Sequence, residues 1–175
     1  MEAAALHFQK AGAEDFAAIQ NFYWSVIEDI HKNNIHNENL GWEKGVYPSD
    51  DLIRTSLAKG ELYTLTEEGE FYACVILNSS CNAGYHGCAW SLQCAPEEVL
   101  IPHALAVRPA MQGKGIGKIV VGNILHLARS THKRAVRLDV LAACKTAERL
   151  YTNCGFRFVE AKNMYYADTG WTEYR

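Results

Sequence analysis

The residues whose types and spacing can do chemistry lie together in Leu105-Ala106-Val107-Arg108-Pro109-Ala110-Met111-Gln112-Gly113-Lys114-Gly115-Ile116-Gly117-Lys118. Leu105 to Val107 end an apolar run that reads as a strand, and Ile116, Ile119, Val120, Ile124 and Leu127 then recur at helical spacing. Between the two, Gly113, Gly115 and Gly117 remove side chains where backbone N–H groups point outward at the positive end of a helix dipole. Lys114 and Lys118 add charge on either side, so an anion belongs there and a pyrophosphate is a sensible guest. The competing reading is a tight strand-to-helix turn whose glycines serve only its geometry.

Two nucleotide motifs fail at this turn. In the P-loop pattern the residue five before Gly117 must be glycine, and it is Gln112; Lys118 is followed by Ile119 rather than by Ser or Thr. The dinucleotide turn fails because Lys118 and Val120 stand three residues after Gly115 and Gly117. ATP and NAD lose their support. Six cysteines, at 74, 81, 88, 94, 144 and 154, are expected as free thiols, since a chain of 175 residues can close a core without disulfides. The spacing Cys81-x6-Cys88-x5-Cys94 contains no paired C-x2-C, so no metal is expected.

The elements that must position this segment are legible from periodicity. Residues 5–11 alternate as a short strand. A helix running to about His31 follows, with Phe16, Ile19, Tyr23, Val26, Ile27 and Ile30 on its apolar stripe. Residues 32–46 form a loop carrying Trp42. Pro48-Ser49-Asp50-Asp51 caps a second helix, with Leu52, Ile53 and Leu57 on its apolar face, that Gly60 stops. Residues 61–66 and 71–78 pair across a Glu68-Gly69 turn, and residues 79–96 are irregular. Strand 99–107, helix 115–130, strand 136–141, helix 146–154 and strand 156–160 complete an alternating unit, with a last strand possible within 165–175. The whole, residues 1–175, is expected to be one domain.

Composition excludes several classes. Lys plus Arg is 17 and Asp plus Glu is 20, a net charge of −3, so no basic field draws the chain to nucleic acid. No apolar run approaches the roughly 20 residues of a membrane span. The first residues, Met1-Glu2-Ala3-Ala4-Ala5, show neither a basic nor an apolar signal region, which makes the cytoplasm the expected compartment.

The spacing Gln112-x-x-Gly115-x-Gly117, after the strand from His103 to Val107, resembles the acetyl-coenzyme A signature of the GNAT superfamily of N-acetyltransferases. The likeness continues through Val136-Arg-Leu-Asp-Val140 and Ala147-x-x-Leu150-Tyr151-x-x-x-Gly155-Phe156, and covers about residues 99–160. It implies an α/β GNAT-like fold: a mixed, mostly antiparallel central sheet flanked by about four helices, with two parallel strands splayed to admit the coenzyme. It further implies that the backbone of Leu105 and Val107, with Ala106 between them, pairs with the pantetheine arm. The amides of Gln112, Gly113, Lys114, Gly115, Ile116, Gly117 and Lys118 would hold the pyrophosphate. Acetyl-CoA is the co-substrate that the resemblance brings, with no metal.

Acetyl transfer to an amine needs the amine deprotonated and the leaving thiolate protonated. Tyr151 falls where the family commonly places a tyrosine near the coenzyme sulfur, and it is the candidate acid. It also completes an apolar stripe with Ala147, Leu150 and Cys154, the mark of a core aromatic. Where many members carry a strand glutamate this chain has Ile101, which cannot take a proton. His103 lies two residues on, on the same face, and is read either as a proton relay through water or as a hydrogen-bonded strand histidine; Glu97 and Glu98 are alternatives. Cys144 replaces a commonly occurring coenzyme-contacting Asn. The acceptor is expected among Trp24, His31, His36, Trp42, Tyr47, Tyr165 and Tyr166, with Glu28, Asp29, Glu38 and Glu43 supplying negative charge. The resulting expectation is an acyltransferase moving acetyl from acetyl-CoA to a primary amine in a ternary complex, a small molecule favoured over a peptide. The alternative is a non-catalytic acyl-CoA-binding sensor or scaffold. A short last strand would leave an edge for a second subunit, giving a homodimer.

Overall fold

Residues 5–33 and 41–175 are described by the computed structural model; His36 and Glu38 fall outside them. The strands are β1 His7–Lys10, β2 Leu62–Glu67, β3 Glu70–Asn78, β4 Val99–Val107, β5 Ala135–Val136, β6 Lys162–Tyr166 and β7 Gly170–Tyr174. The helices are α1 Phe16–Asn33, α2 Asp50–Ala58, α3 Ile116–Ser130 and α4 Lys145–Asn153. Five strands pair in sequence order, antiparallel from β1 to β4 and parallel between β4 and β5, while β6 and β7 form a separate hairpin.

Local chemistry explains the early elements. Ser49 caps α2, its Oγ accepting from the Leu52 amide at 3.1 Å, and Asp50 and Asp51 occupy the first turn beside the positive dipole end. Glu68 and Gly69 both take positive φ, 49° and 81°, the conformation that lets a two-residue loop match the twist of β2 and β3. α1 buries Ile19, Phe22, Tyr23, Val26 and Ile27; Phe16 and Ile30 of the expected stripe are only partly buried, and Phe22 is added to it.

The sheet is covered on both faces. α1 and α2 pack with Leu62, Cys74, Ile76, Ala104 and Ala106 on one face. On the other, Ile116, Val120 and Ile124 of α3 meet Leu65, Ala73, Val75, Leu77 and Leu100. Each fully buried Ile or Leu contributes about 1.5–3 kcal/mol, so these clusters hold the sheet rigid between its helices. A third cluster, Tyr85, Val99, Ile101, Met164 and Tyr174, seats the hairpin against β4.

The second half departs from the sequence pattern in pairing rather than in order. The strand expected at 136–141 pairs with β4 only at Val99↔Ala135 and Leu100↔Val136. Its outer edge is then taken by the C-terminus, through reciprocal 2.8 Å bonds between Val140 and Arg175 and a 3.0 Å bond from Ala142 N to Glu173 O. With that edge filled, residues 156–160 have no neighbour to pair with and form no strand; Phe158 and Val159 are exposed. The last strand is in fact a hairpin of two. Among the described residues no helix is long and apolar enough to cross a membrane.

Candidate active site

The site begins where two strands part. The last bond between the parallel pair runs from Arg137 N to Leu100 O at 3.1 Å. Beyond it β4 continues to Val107 with β3 as its ladder partner and, among the described residues, no ladder on its other side. Arg108 N donates to Tyr72 O at 2.9 Å, so Arg108 and Ala106 turn their backbone groups to β3, and alternation turns those of Leu105 and Val107 to the splayed side. Val107 O accepts from Gln112 Nε2 at 3.3 Å. Ala106, by contrast, is pinned opposite Cys74 and buried against the α1 face.

A bulge sets this phase. Between Cys74 and Ile76 the register shifts, so that Ala104 and Leu105 together face one residue of β3, and Ala104 takes φ 48°. Its carbonyl accepts from the buried Tyr23 hydroxyl at 2.9 Å.

The strand then enters the glycine turn. Gly113 and Gly115 have φ of 74° and 84°, and nothing lies within 4 Å of where a Cβ would stand. Gly115 is the N-cap of α3 and brings no side chain to cap the first-turn amides of Ile116, Gly117 and Lys118. Gly117 differs: a Cβ there would lie 3.1 Å from Leu150 Cδ2, so this glycine lets α3 and α4 approach. Gln112 to Lys118 thus form one continuous surface at the end of the splayed edge, with open space over Gly113 and Gly115 but not over Gly117.

Tyr151 lies on α4, half-buried, its ring edge-on to Phe156 at 5.5 Å. Burial first, then the nearby Cys144, Asp139 and Cys154, holds its phenol above the ordinary value, so it carries its proton at neutral pH. Cys144 is the N-cap of α4 and makes no side-chain capping bond. His103 is half-buried on the face of β4 that carries Val99 and Ile101, and its Nε2 lies 2.9 Å from Asn78 Oδ1. Asn78 directs its amide nitrogen to Glu61, so Oδ1 is the acceptor and His103 Nε2 carries the hydrogen. Burial lowers the His103 pKa, with Asp139, the Ser80 backbone and Glu61 opposing.

The acid that sequence reasoning passed over is Asp139. It stands on the stretch that leaves β4, and the Tyr166 hydroxyl donates to its Oδ2 at 2.7 Å. Tyr85 supplies a second phenol, and burial raises the carboxyl above its usual range against the pull of both. Asp139 and Tyr151 line one open cleft of about 460 Å3, which Tyr85, Met164 and Tyr174 also border. Its signal in sequence was available: alternation from the inward Val136 puts Arg137, Asp139 and Leu141 on the opposite face, but nothing in the sequence showed that phenols would surround it.

The expected acceptor rim divides. Tyr47 and Trp42 pack edge-to-face at 5.9 Å over α1, Tyr166 faces Asp139, and Tyr165 points outward to stack on exposed Trp171. Lys44 pairs with Glu28 and lies 5.3 Å over Trp24; His31 bonds to Trp42 O, and Asp29 accepts from Asn33. The carboxylates that face one another and Tyr47 are Asp139 and Asp168.

A splayed parallel pair, a bulged strand and a glycine turn opening a helix make up the α/β fold that the resemblance implies. Residues 28–156 match the model of the acetyltransferase (GNAT) family, and the chain belongs to that family. Over 97% of its length it is similar in structure, at 14% identity and a TM-score of 0.76, to a GNAT-family acetyltransferase from Streptococcus agalactiae, 93% of which is covered. It is likewise similar, at 18% identity and a TM-score of 0.66, to yncA, a putative acetyltransferase from Salmonella typhimurium solved with its cofactor acetyl-CoA; 97% and 90% of the two chains align. In sequence, 68 residues are 35% identical to an uncharacterised protein of Mycobacterium leprae, ML0378; they make up 39% of this chain and 18% of that protein.

Proposed function

We propose that the protein transfers an acetyl group from acetyl-CoA to a primary amine by direct attack in a ternary complex. The observation that carries this reading is the parting of β5 from β4 after Leu100, immediately ahead of the glycine turn. Leu105 and Val107 then offer backbone groups to a pantetheine arm as an added strand would use them, and the amides from Gly113 to Lys118 suit a pyrophosphate, while the Gln112 amide is already donated to Pro109 O at 3.1 Å. The co-substrate supplies the activated acyl group. Tyr151, protonated at neutral pH, gives its proton to the departing thiolate. His103, tied to Asn78, relays a proton through water between the acceptor side and solvent.

Thermal unfolding with acetyl-CoA, ATP and NAD tests the first half. At about 100 times its Kd a ligand of the folded state adds roughly 2.7 kcal/mol, a rise of several degrees for this size. Acetyl-CoA alone is expected to give it, and thiol release with a panel of primary amines tests the second half. A shift without thiol release from any amine favours a non-catalytic acyl-CoA-binding module.

A further inference from the structure

We propose that Asp139 is the carboxylate that receives the acceptor's ammonium and takes its first proton, a catalytic residue beside Tyr151; the inference rests on the acetyltransferase reading above. Position is the first argument. Asp139 lies on the stretch that diverges from β4, on the same face as His103, and it shares the open cleft with Tyr151. An amine held at Asp139 is therefore in the cleft that Tyr151 also lines.

Charge is the second. Among the described residues no Lys or Arg pairs with Asp139. Arg137, two residues back, is turned onto the Trp90 ring at 4.4 Å and donates to Leu92 O, and Arg175 is paired with Glu148. The groups facing Asp139 from each neighbouring element are Tyr85, Tyr166 and Tyr174, Tyr47, Tyr151, Asp168 and His103. The tyrosines are neutral at neutral pH, Asp168 repels, and burial disfavours the charged form of His103. Phenols satisfy the lone pairs of a carboxylate without cancelling its charge. A half-buried carboxylate so arranged is a receptor for a cation, and a raised pKa makes it a better base.

The proton balance closes without any further reactant. The ammonium gives one proton to Asp139, which passes it to water. The free amine forms the C–N bond as the C–S bond breaks. The thiolate takes the Tyr151 phenolic proton, and the second proton leaving the nitrogen restores that phenol.

Turnover and binding are read separately. Asp139→Asn, which keeps an acceptor for Tyr166, is compared with wild type for thiol release from acetyl-CoA with 2-phenylethylamine, 1,4-diaminobutane and other primary amines. Carboxyl 13C spectra of aspartate-labelled wild type follow the Asp139 resonance as the same amines are added at about pH 7.5. The expected result is a loss of about a hundredfold or more in kcat/KM for the amine, with the KM for acetyl-CoA within about twofold and the acid limb of the pH profile gone. Asp139→Glu recovers part of the loss, and amine moves the Asp139 resonance. A variant within about threefold of wild type with its acid limb intact overturns the proposal. So does an Asp139 resonance that no amine moves, which is readable even where wild type releases no thiol. Absence of thiol release from wild type alone counts against the acetyltransferase reading, while the response of the Asp139 resonance still decides whether the carboxylate binds an amine.

Discussion

The Tyr166 hydroxyl donates to Asp139 Oδ2 at 2.7 Å, and that bond joins the backbone bonds of Val140 and Ala142 in fastening the C-terminal hairpin to the stretch that splays from β4. The Tyr166 ring also packs at 4.9 Å on Tyr174, whose neighbour Arg175 pairs with Val140. Removing the hydroxyl acts on both chemistry and structure. A bond to a carboxylate is worth about 1.5–3 kcal/mol, so Tyr166→Phe is expected to lower stability within that range. The same bond holds the Asp139 carboxyl down against burial, so its loss raises that pKa and moves the acid limb of kcat/KM to higher pH. A limb that stays in place or moves down separates Tyr166 from the proton chemistry.

Asp139 itself sets a pH dependence of folding. Its folded pKa is raised, chiefly by desolvation, above the unfolded carboxylate value. Its contribution is therefore most favourable below the unfolded value and is lost as pH rises through the folded one, after which it is constant. Asp139→Asn removes that loss. The melting temperature of the variant relative to wild type is expected to climb as pH rises from about 4 and then to level off. A difference that falls over the same range would show that the carboxylate stabilises the fold.

Tyr151→Phe keeps the ring that packs on Phe156 and removes only the hydroxyl. Thiol release is expected to fall by about a hundredfold, within the usual range for loss of a general acid. The melting shift with acetyl-CoA should be nearly unchanged. Equal turnover would return Tyr151 to the role of a packed aromatic.

Gly115 and Gly117 separate ligand geometry from packing. Ala at 115 inherits a φ of 84°, a conformation that costs an L-residue about 1–2 kcal/mol, although its methyl meets nothing. Relaxation of that residue reorients the first amides of α3, so Gly115→Ala is expected to shrink the acetyl-CoA melting shift. Ala at 117 instead presses on Leu150 and is expected to change basal stability while leaving more of the shift. Equal behaviour of the two variants would mean that the turn holds no ligand.

What the sequence could show follows from the range of the forces involved. The α2 cap, the Glu68-Gly69 turn, β4 from Val99 to Val107 and α3 depend on neighbours within a few residues, and all are legible. Periodicity sees apolar faces but not partners. Phe156 to Glu160 looks like a strand, yet whether it pairs depends on residues 173–175 reaching the edge at Val140 and Ala142 first. The candidate site divides in the same way. The glycine turn is local and was visible, whereas the phenols around Asp139 come from residues 85 and 166, more than twenty positions away on either side. Glu28, chosen for its charge, proves to be paired with Lys44.

The bulge in β4 offers the sharpest test of how the core sets the site. Ala104 adopts φ 48°, unfavourable for any residue with a Cβ, and the buried Tyr23 hydroxyl at 2.9 Å satisfies the carbonyl that this conformation turns inward. Tyr23→Phe leaves that carbonyl without its donor, a cost of about 1–3 kcal/mol, which for a chain of this size lowers the melting temperature by several degrees. Ala104→Gly relieves the φ penalty but loosens the unfolded chain, so alone it should be close to neutral. Together the two are informative. If Tyr23 acts by holding the strained conformation, glycine, which adopts it freely, makes the hydroxyl less necessary, and the loss from Tyr23→Phe is smaller in the Ala104→Gly background. The acetyl-CoA melting shift should follow, because the bulge decides that Leu105 and Val107 face the splay. Strict additivity of the two substitutions in a double-mutant cycle would show instead that Tyr23 only fills the core and that the bulge stands without it.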